Sequence, residues 1–161
     1  MPSLITPASR VRASFLEAAI ALRDEGWTPG FPVDEVAADF GAYVQRVIDQ
    51  KVAWGVPMST LWYVDGDTYL GTVIIRHELT PALTERGGHI GYHVAPLHRR
   101  RGYATAMLAE AIAYGREHLG LRDVLITCDE FNEGSRRVIE ANGGVLENIL
   151  DGECRYWIRI G

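Results

Sequence analysis

A strand, a basic glycine turn and an amphipathic helix follow one another between Gly88 and Gly115, and this succession constrains the fold more than any other stretch of the chain. Gly88-His89-Ile90-Gly91-Tyr92-His93-Val94 reads as a strand stopped by Pro96. Ala104, Met107, Leu108, Ala111, Ile112 and Gly115 then recur at the spacing that lines up one buried face of a helix. His98-Arg99-Arg100-Arg101-Gly102-Tyr103-Ala104-Thr105 lies between them, so the basic turn becomes the first turn of the helix. The first amides of a helix have no intrahelical acceptor and sit at the positive end of its dipole, which suits them to a pyrophosphate. Gly102 leaves the backbone bare where an anion would approach, Ala104 keeps the next turn small, and Thr105 adds a hydroxyl.

The remaining pattern builds a framework around this unit. Ser3 to Thr6 predicts a short strand, and two helices follow over about Ala8 to Asp24 and Asp34 to Gln50, each with one apolar face. Gly26 to Pro32 between them is a loop carrying Trp27 and Phe31. Thr60–Val64 and Thr68–Arg76 flank Asp65-Gly66-Asp67, a hairpin signal. A loop with Pro81 and Gly87-Gly88 leads to the strand and helix already described, and Asp123 to Thr127 is the next strand. That strand–helix–strand crossover predicts a parallel pair. Asn132 predicts a helix N-cap, Gly143-Gly144 its end, and Val145–Leu150 with Cys154–Ile160 a terminal hairpin. The order is β-α-α-β-β-β-α-β-α-β-β, an α/β fold with a mixed sheet and helices on both faces.

Composition narrows what such a fold could do. A chain of 161 residues with 47% hydrophobic content predicts one domain over residues 1–161. Its net charge of −5 disfavours a nucleic-acid partner, while the clustered Arg99, Arg100 and Arg101 favour a small polyanion. The two cysteines, Cys128 and Cys154, supply neither a disulfide framework nor metal-type spacing, which fits a reducing cytoplasm and no metal. No apolar run approaches the roughly 18 residues of a membrane span. Val11 to Leu22, interrupted by Arg12, Ser14 and Glu17, reads as an amphipathic helix and not a signal peptide.

No Gly-x-x-x-x-Gly-Lys-Ser/Thr and no Gly-x-Gly-x-x-Gly is present, which removes the common nucleotide-binding alternatives. Arg99-x-x-Gly102-x-Ala104, after a strand ending Val94-x-Pro96, resembles the cofactor motif of the Gcn5-related N-acetyltransferase (GNAT) superfamily. Asn132-x-x-Ser135, followed by Glu140-Ala141-Asn142-Gly143-Gly144, resembles the family's next helix. Gly88–Tyr92 and Leu125–Asp129 are similar to a bacterial subgroup of acetyltransferases of unassigned substrate. The resemblance is specific from about residue 60 onward and topological before it.

It implies a three-layer α/β/α domain with acetyl-CoA as co-substrate and no metal. Backbone amides of Arg99, Arg100, Arg101, Gly102, Tyr103 and Ala104 would hold the pyrophosphate, with the arginines near the 3′-phosphate and Thr105 beside them. Val94 would pair by its backbone with the pantetheine arm, and Asn132 and Ser135 would face it. The activity implied is acetyl transfer to a primary amine, on a small molecule or a peptide, by direct attack in a ternary complex. A non-catalytic acyl-CoA sensor is an alternative, as is an acyltransferase using a longer donor or an oxygen acceptor. Dimers are common in the family.

The catalytic groups are less marked. An alkyl ammonium has a pKa of ~10.4, so a base or a water chain must remove its proton. His93, Glu78, Asp129 and Glu130 are candidates, with His93 on the cofactor strand and Asp129 at a strand end where ligands gather in open sheets. Many family members protonate the leaving thiolate from a tyrosine where this chain has Ile139, leaving Tyr156 or Tyr92 as substitutes. Specificity is expected from the N-terminal helices, the Trp27–Phe31 loop, the Leu79–Gly88 loop and the terminal hairpin.

Overall fold

The computed structural model describes residues 1–27 and 31–160. Strand β1 (Ser3–Ile5) is followed by helices α1 (Arg12–Asp24), α2 (Val33–Ala38) and α3 (Phe40–Asp49). The expected second helix is therefore two. Asp39 breaks it with φ −145° and ψ 76°, and its carboxylate accepts the Ala42 amide at 3.1 Å to cap α3. Strands β2 (Val52–Ala53), β3 (Val56–Asp65) and β4 (Thr68–Arg76) come next, with β3 and β4 turning at Gly66-Asp67. Short helix α4 (Pro81–Glu85) occupies the expected loop, its amide at Leu83 capped by the Thr80 hydroxyl. Strand β5 (Ile90–Val94), helix α5 (Tyr103–Leu119), strand β6 (Asp123–Asp129) and helix α6 (Glu133–Ala141) follow. The chain ends in the hairpin β7 (Val145–Leu150) and β8 (Glu153–Arg159), whose turn residues Asp151 and Gly152 both take positive φ, at 50° and 79°.

The strands form two antiparallel groups, β1-β3-β4-β5 with β2 on β3, and β6-β8-β7. The parallel pairing expected across α5 does not form, because β5 and β6 meet only at a short seam where β5 begins. There the His89 amide donates to the Leu125 carbonyl at 2.8 Å, the Leu125 amide donates to His89 Nδ1 at 2.9 Å, and the Gly87 amide donates to the Thr127 hydroxyl at 2.8 Å. Gly88 is required at the seam, since a Cβ would lie 2.3 Å from the Leu125 carbonyl oxygen. With side chains taking the place of a backbone ladder, the strands part beyond the seam. The edge of β5 turned away from β4 is free of any ladder among the described residues.

Helices cover both faces of this framework. Met107, Leu108 and Ala111 of α5 and Ile139 of α6 pack on Val73, Ile75 and Ile126, with Tyr156 fully buried among them. On the opposite face, Phe15, Val36, Phe40 and Val44 from the N-terminal helices pack on Trp62 and Tyr69. Each such large apolar side chain removed from water contributes about 1.5–3 kcal/mol before chain entropy is counted.

Candidate active site

The basic turn, β5 and the start of α6 enclose one cleft of about 570 Å³. Val94, Arg99, Arg100, Gly102, Tyr103, Ala104 and Thr105 line it from one side, and Asn132, Ser135 and Val138 from the other. Arg101 alone of the expected cofactor residues is not in this lining. Gly102 caps α5 in the left-handed region at φ 81°, and no atom lies within 4 Å of where its Cβ would be. Bare amides at a helix start therefore open onto free space, with positive side chains around them, so the cradle suits a pyrophosphate. Arg99 is fixed by an ion pair with Glu25 at the end of α1, at 2.8 Å.

The free edge of β5 forms the cleft's inner wall. The Ala95 amide donates to the Leu70 carbonyl on β4 at 2.7 Å, so strand alternation turns the peptide groups of Tyr92 and Val94 the other way, into the gap. An extended amide-bearing arm could pair there as an added strand. Asn132 does cap α6, accepting the Ser135 amide at 3.1 Å, and it lines the cleft as well. The Tyr92 hydroxyl bonds the Ser135 hydroxyl at 2.8 Å, and burial pushes its pKa up to about 12.

A second cavity, of about 310 Å³, lies under α1 and α3 on the other side of β5. Phe15, Trp27, Tyr43, Trp54, Trp62 and Tyr69 supply its aromatic wall, with Phe31 beside them. His93 belongs to both cavities. Its Nε2 lies 3.3 Å from the Tyr69 hydroxyl, which in turn bonds Thr72, and Trp27 leans on the ring at 5.9 Å between centroids. Burial, with Arg99 nearby, lowers the His93 pKa to about 4 and keeps the imidazole neutral.

Other expected residues lie elsewhere. Tyr156 is wholly buried, accepting from Arg136 Nε at 3.0 Å and donating to Glu140 at 2.9 Å, and lines neither cavity. Asp129 accepts the Phe131 amide at 2.8 Å, closing the turn after β6, and it too lies off both cavities, as do Glu78 and Glu130. The buried Cys128 thiol is pushed up to about 11, leaving little thiolate for covalent chemistry. Of the elements expected to set specificity, the N-terminal helices, Trp27 and Phe31 do line the aromatic cavity, residues 28–30 of their loop lying outside the described residues. The Leu79–Gly88 loop and the terminal hairpin contribute no wall to it, and Trp157 faces a separate surface hollow with Val145 and Arg159. Thr72 and Tyr69 were not anticipated. The pairing of Thr72 with His93 across β4 and β5 brings them together, and sequence alone does not give that register.

A basic glycine cradle on a strand–helix unit, with His93 shared between its cleft and a second pocket, is an arrangement suited to a transferase that takes an acyl-CoA donor. The acetyltransferase (GNAT) domain matches residues 11–145, and the chain belongs to that family and is an acetyltransferase. It is 29% identical over 131 residues to the uncharacterized N-acetyltransferase YoaA of Bacillus subtilis, spanning 74% of this chain and 72% of that one. Mycobacterium smegmatis RimJ, solved with a CoA disulfide, shares the fold with a TM-score of 0.72 at 20% identity, over 98% of this chain and 81% of that one. RimL, a ribosomal L7/L12 α-N-protein acetyltransferase solved with coenzyme A, does so with a TM-score of 0.68 at 15% identity, over 99% and 94%. Among the described residues no helix is long and apolar enough to cross a membrane.

Proposed function

We propose that the protein transfers the acetyl group of acetyl-CoA to a primary amine by direct attack in a ternary complex, within the single domain expected over residues 1–161. The observation that carries this reading is that His93 forms a wall of both cavities, so a donor in the cleft and an acceptor in the aromatic pocket meet at one side chain. The name of RimL, with its protein α-amine acceptor, supports an amine in a fold of this kind.

Acetyl-CoA supplies the activated thioester. The amine nitrogen bonds to the carbonyl carbon, the carbon–sulfur bond breaks, and the nitrogen's proton ends on the sulfur, giving an N-acetyl amine and free CoA with no net redox change. An N–H on the free edge of β5 faces the carbonyl oxygen as charge develops on it. A base with a pKa of about 4 does not deprotonate an alkyl ammonium, so His93 takes the proton only after the nitrogen has bonded to carbon and become acidic. Tyr92 stays protonated throughout and donates a hydrogen bond to the departing sulfur, replacing the tyrosine absent at Ile139.

Calorimetric titration with acetyl-CoA, desulfo-CoA and ATP, followed by thiol release over an amine panel, tests the reading. Micromolar binding of acetyl-CoA in preference to ATP, with amine-dependent thiol release, is expected. Failure to bind acetyl-CoA would overturn it.

A further inference from the structure

We propose that the acceptor is a small amine with a flat apolar body and no second charge, taken into the aromatic cavity as its uncharged free base. The inference rests on the acetyl-transfer reading above and concerns the other substrate. The cavity is small, at the low end of the about 300–1,000 Å³ range of small-molecule sites. No Asp, Glu, Lys or Arg is among its described lining residues. Gln50 at the exposed rim is uncharged, and deeper in the Tyr69, Thr72 and His93 polar atoms already bond one another.

Charges just outside it disfavour a cation. The Arg76 guanidinium lies 4.2 Å from the Trp54 ring and that of Arg46 lies 5.9 Å from Tyr43, so two aromatic walls already carry positive charge. Arg99 acts on His93, and its partner carboxylate, Glu25, is engaged by it. Asp39 caps α3, Asp49 accepts from Gln45, and neither is among the residues that line the cavity. An ammonium ion buried there would meet no counter-ion among the described lining residues.

Nor do the rings form a cage around a cation. Phe15 stacks on Trp62 at 4.8 Å with 21° between planes, and Tyr69 meets both edge-on, at 4.9 and 5.5 Å. The faces of these three rings are spent largely on each other. What remains of the wall is aromatic and aliphatic surface that a flat hydrocarbon body can cover.

The test is calorimetry of the intact protein against phenethyl alcohol, phenethylamine, phenethyltrimethylammonium and spermidine, with and without saturating CoA. The alcohol is expected to bind at least about tenfold more tightly than the quaternary ion, and the amine to tighten as rising pH releases its free base. Equal or tighter binding of the quaternary ion or of spermidine would overturn the proposal, as would absence of binding by the alcohol. Gln50→Glu adds a carboxylate at the exposed rim without changing size, and it should narrow the preference for the neutral ligand. An unchanged ratio in that variant would mean the ligand sits elsewhere, and would also overturn it. Acetyl-CoA plays no part in these titrations, so loss of acetyl-CoA binding would strike the reaction, whereas a preference for cations would strike the acceptor class alone.

Discussion

Gly102 and Tyr92 stand for separable parts of the proposed reaction. A side chain at Gly102 meets open space but must adopt a left-handed backbone, at a cost of roughly 1–2 kcal/mol. Gly102→Glu adds negative charge inside the cradle, so acetyl-CoA binding should vanish in calorimetry while circular dichroism remains that of a folded protein. Tyr92→Phe removes the proposed donor to sulfur and keeps the ring in place. Steady-state kinetics should show kcat lower by roughly 10²-fold with KM for acetyl-CoA little changed. Two histidines set an acid limit. His89 and His93 titrate near pH 4 in the fold, against ~6.5 when unfolded, so between those values the unfolded chain holds more protons. Stability should therefore fall as pH drops from about 6.5 towards 4, read as a falling urea midpoint. His89→Asn retains an acceptor for the Leu125 amide without the titration, and it should flatten that slope.

Elements differ in how openly the sequence declares them. The strand, turn and helix over β5 and α5 are legible because a glycine, a basic cluster and a helical period coincide there. The break between α2 and α3 is not, since the apolar stripe runs on across Asp39 and only the cap tells of a new start. Asp39→Ala should cost about 1 kcal/mol of stability in urea unfolding, by leaving the Ala42 amide unpaired. Thr80-Pro81 similarly announced α4, a cap followed by a proline at the first helical position, within a stretch whose glycines suggested a loop. The lining of the basic cleft was readable because it is built from one continuous segment and one cap. The aromatic cavity was legible only in its N-terminal helices, Trp27 and Phe31, because the rest of its wall draws on β3 and β4 and depends on cross-strand register. Tyr156 shows the same limit, since only the packed structure reveals that Arg136 and Glu140 hold its hydroxyl inside the core.

At the scale of the whole molecule, two strand groups are joined through a seam at Gly87–His89 and by helices that span both. Beyond the seam, the backbone groups of β5 that a ladder would have engaged are left to a ligand. Coenzyme A would then complete the sheet, and its binding energy would become folding energy. At a free concentration 100 times its dissociation constant it should stabilise the native state by about 2.7 kcal/mol, measurable as a rise in Tm. Hydrogen exchange should report where that energy goes. Amides of Tyr92 and Val94 should exchange rapidly in the free protein and slow once CoA is added, while those paired between β3 and β4 change little. The gap beyond the seam would thus leave the fold one strand short, with a rigidity that rises and falls with the supply of the acyl donor that fills it.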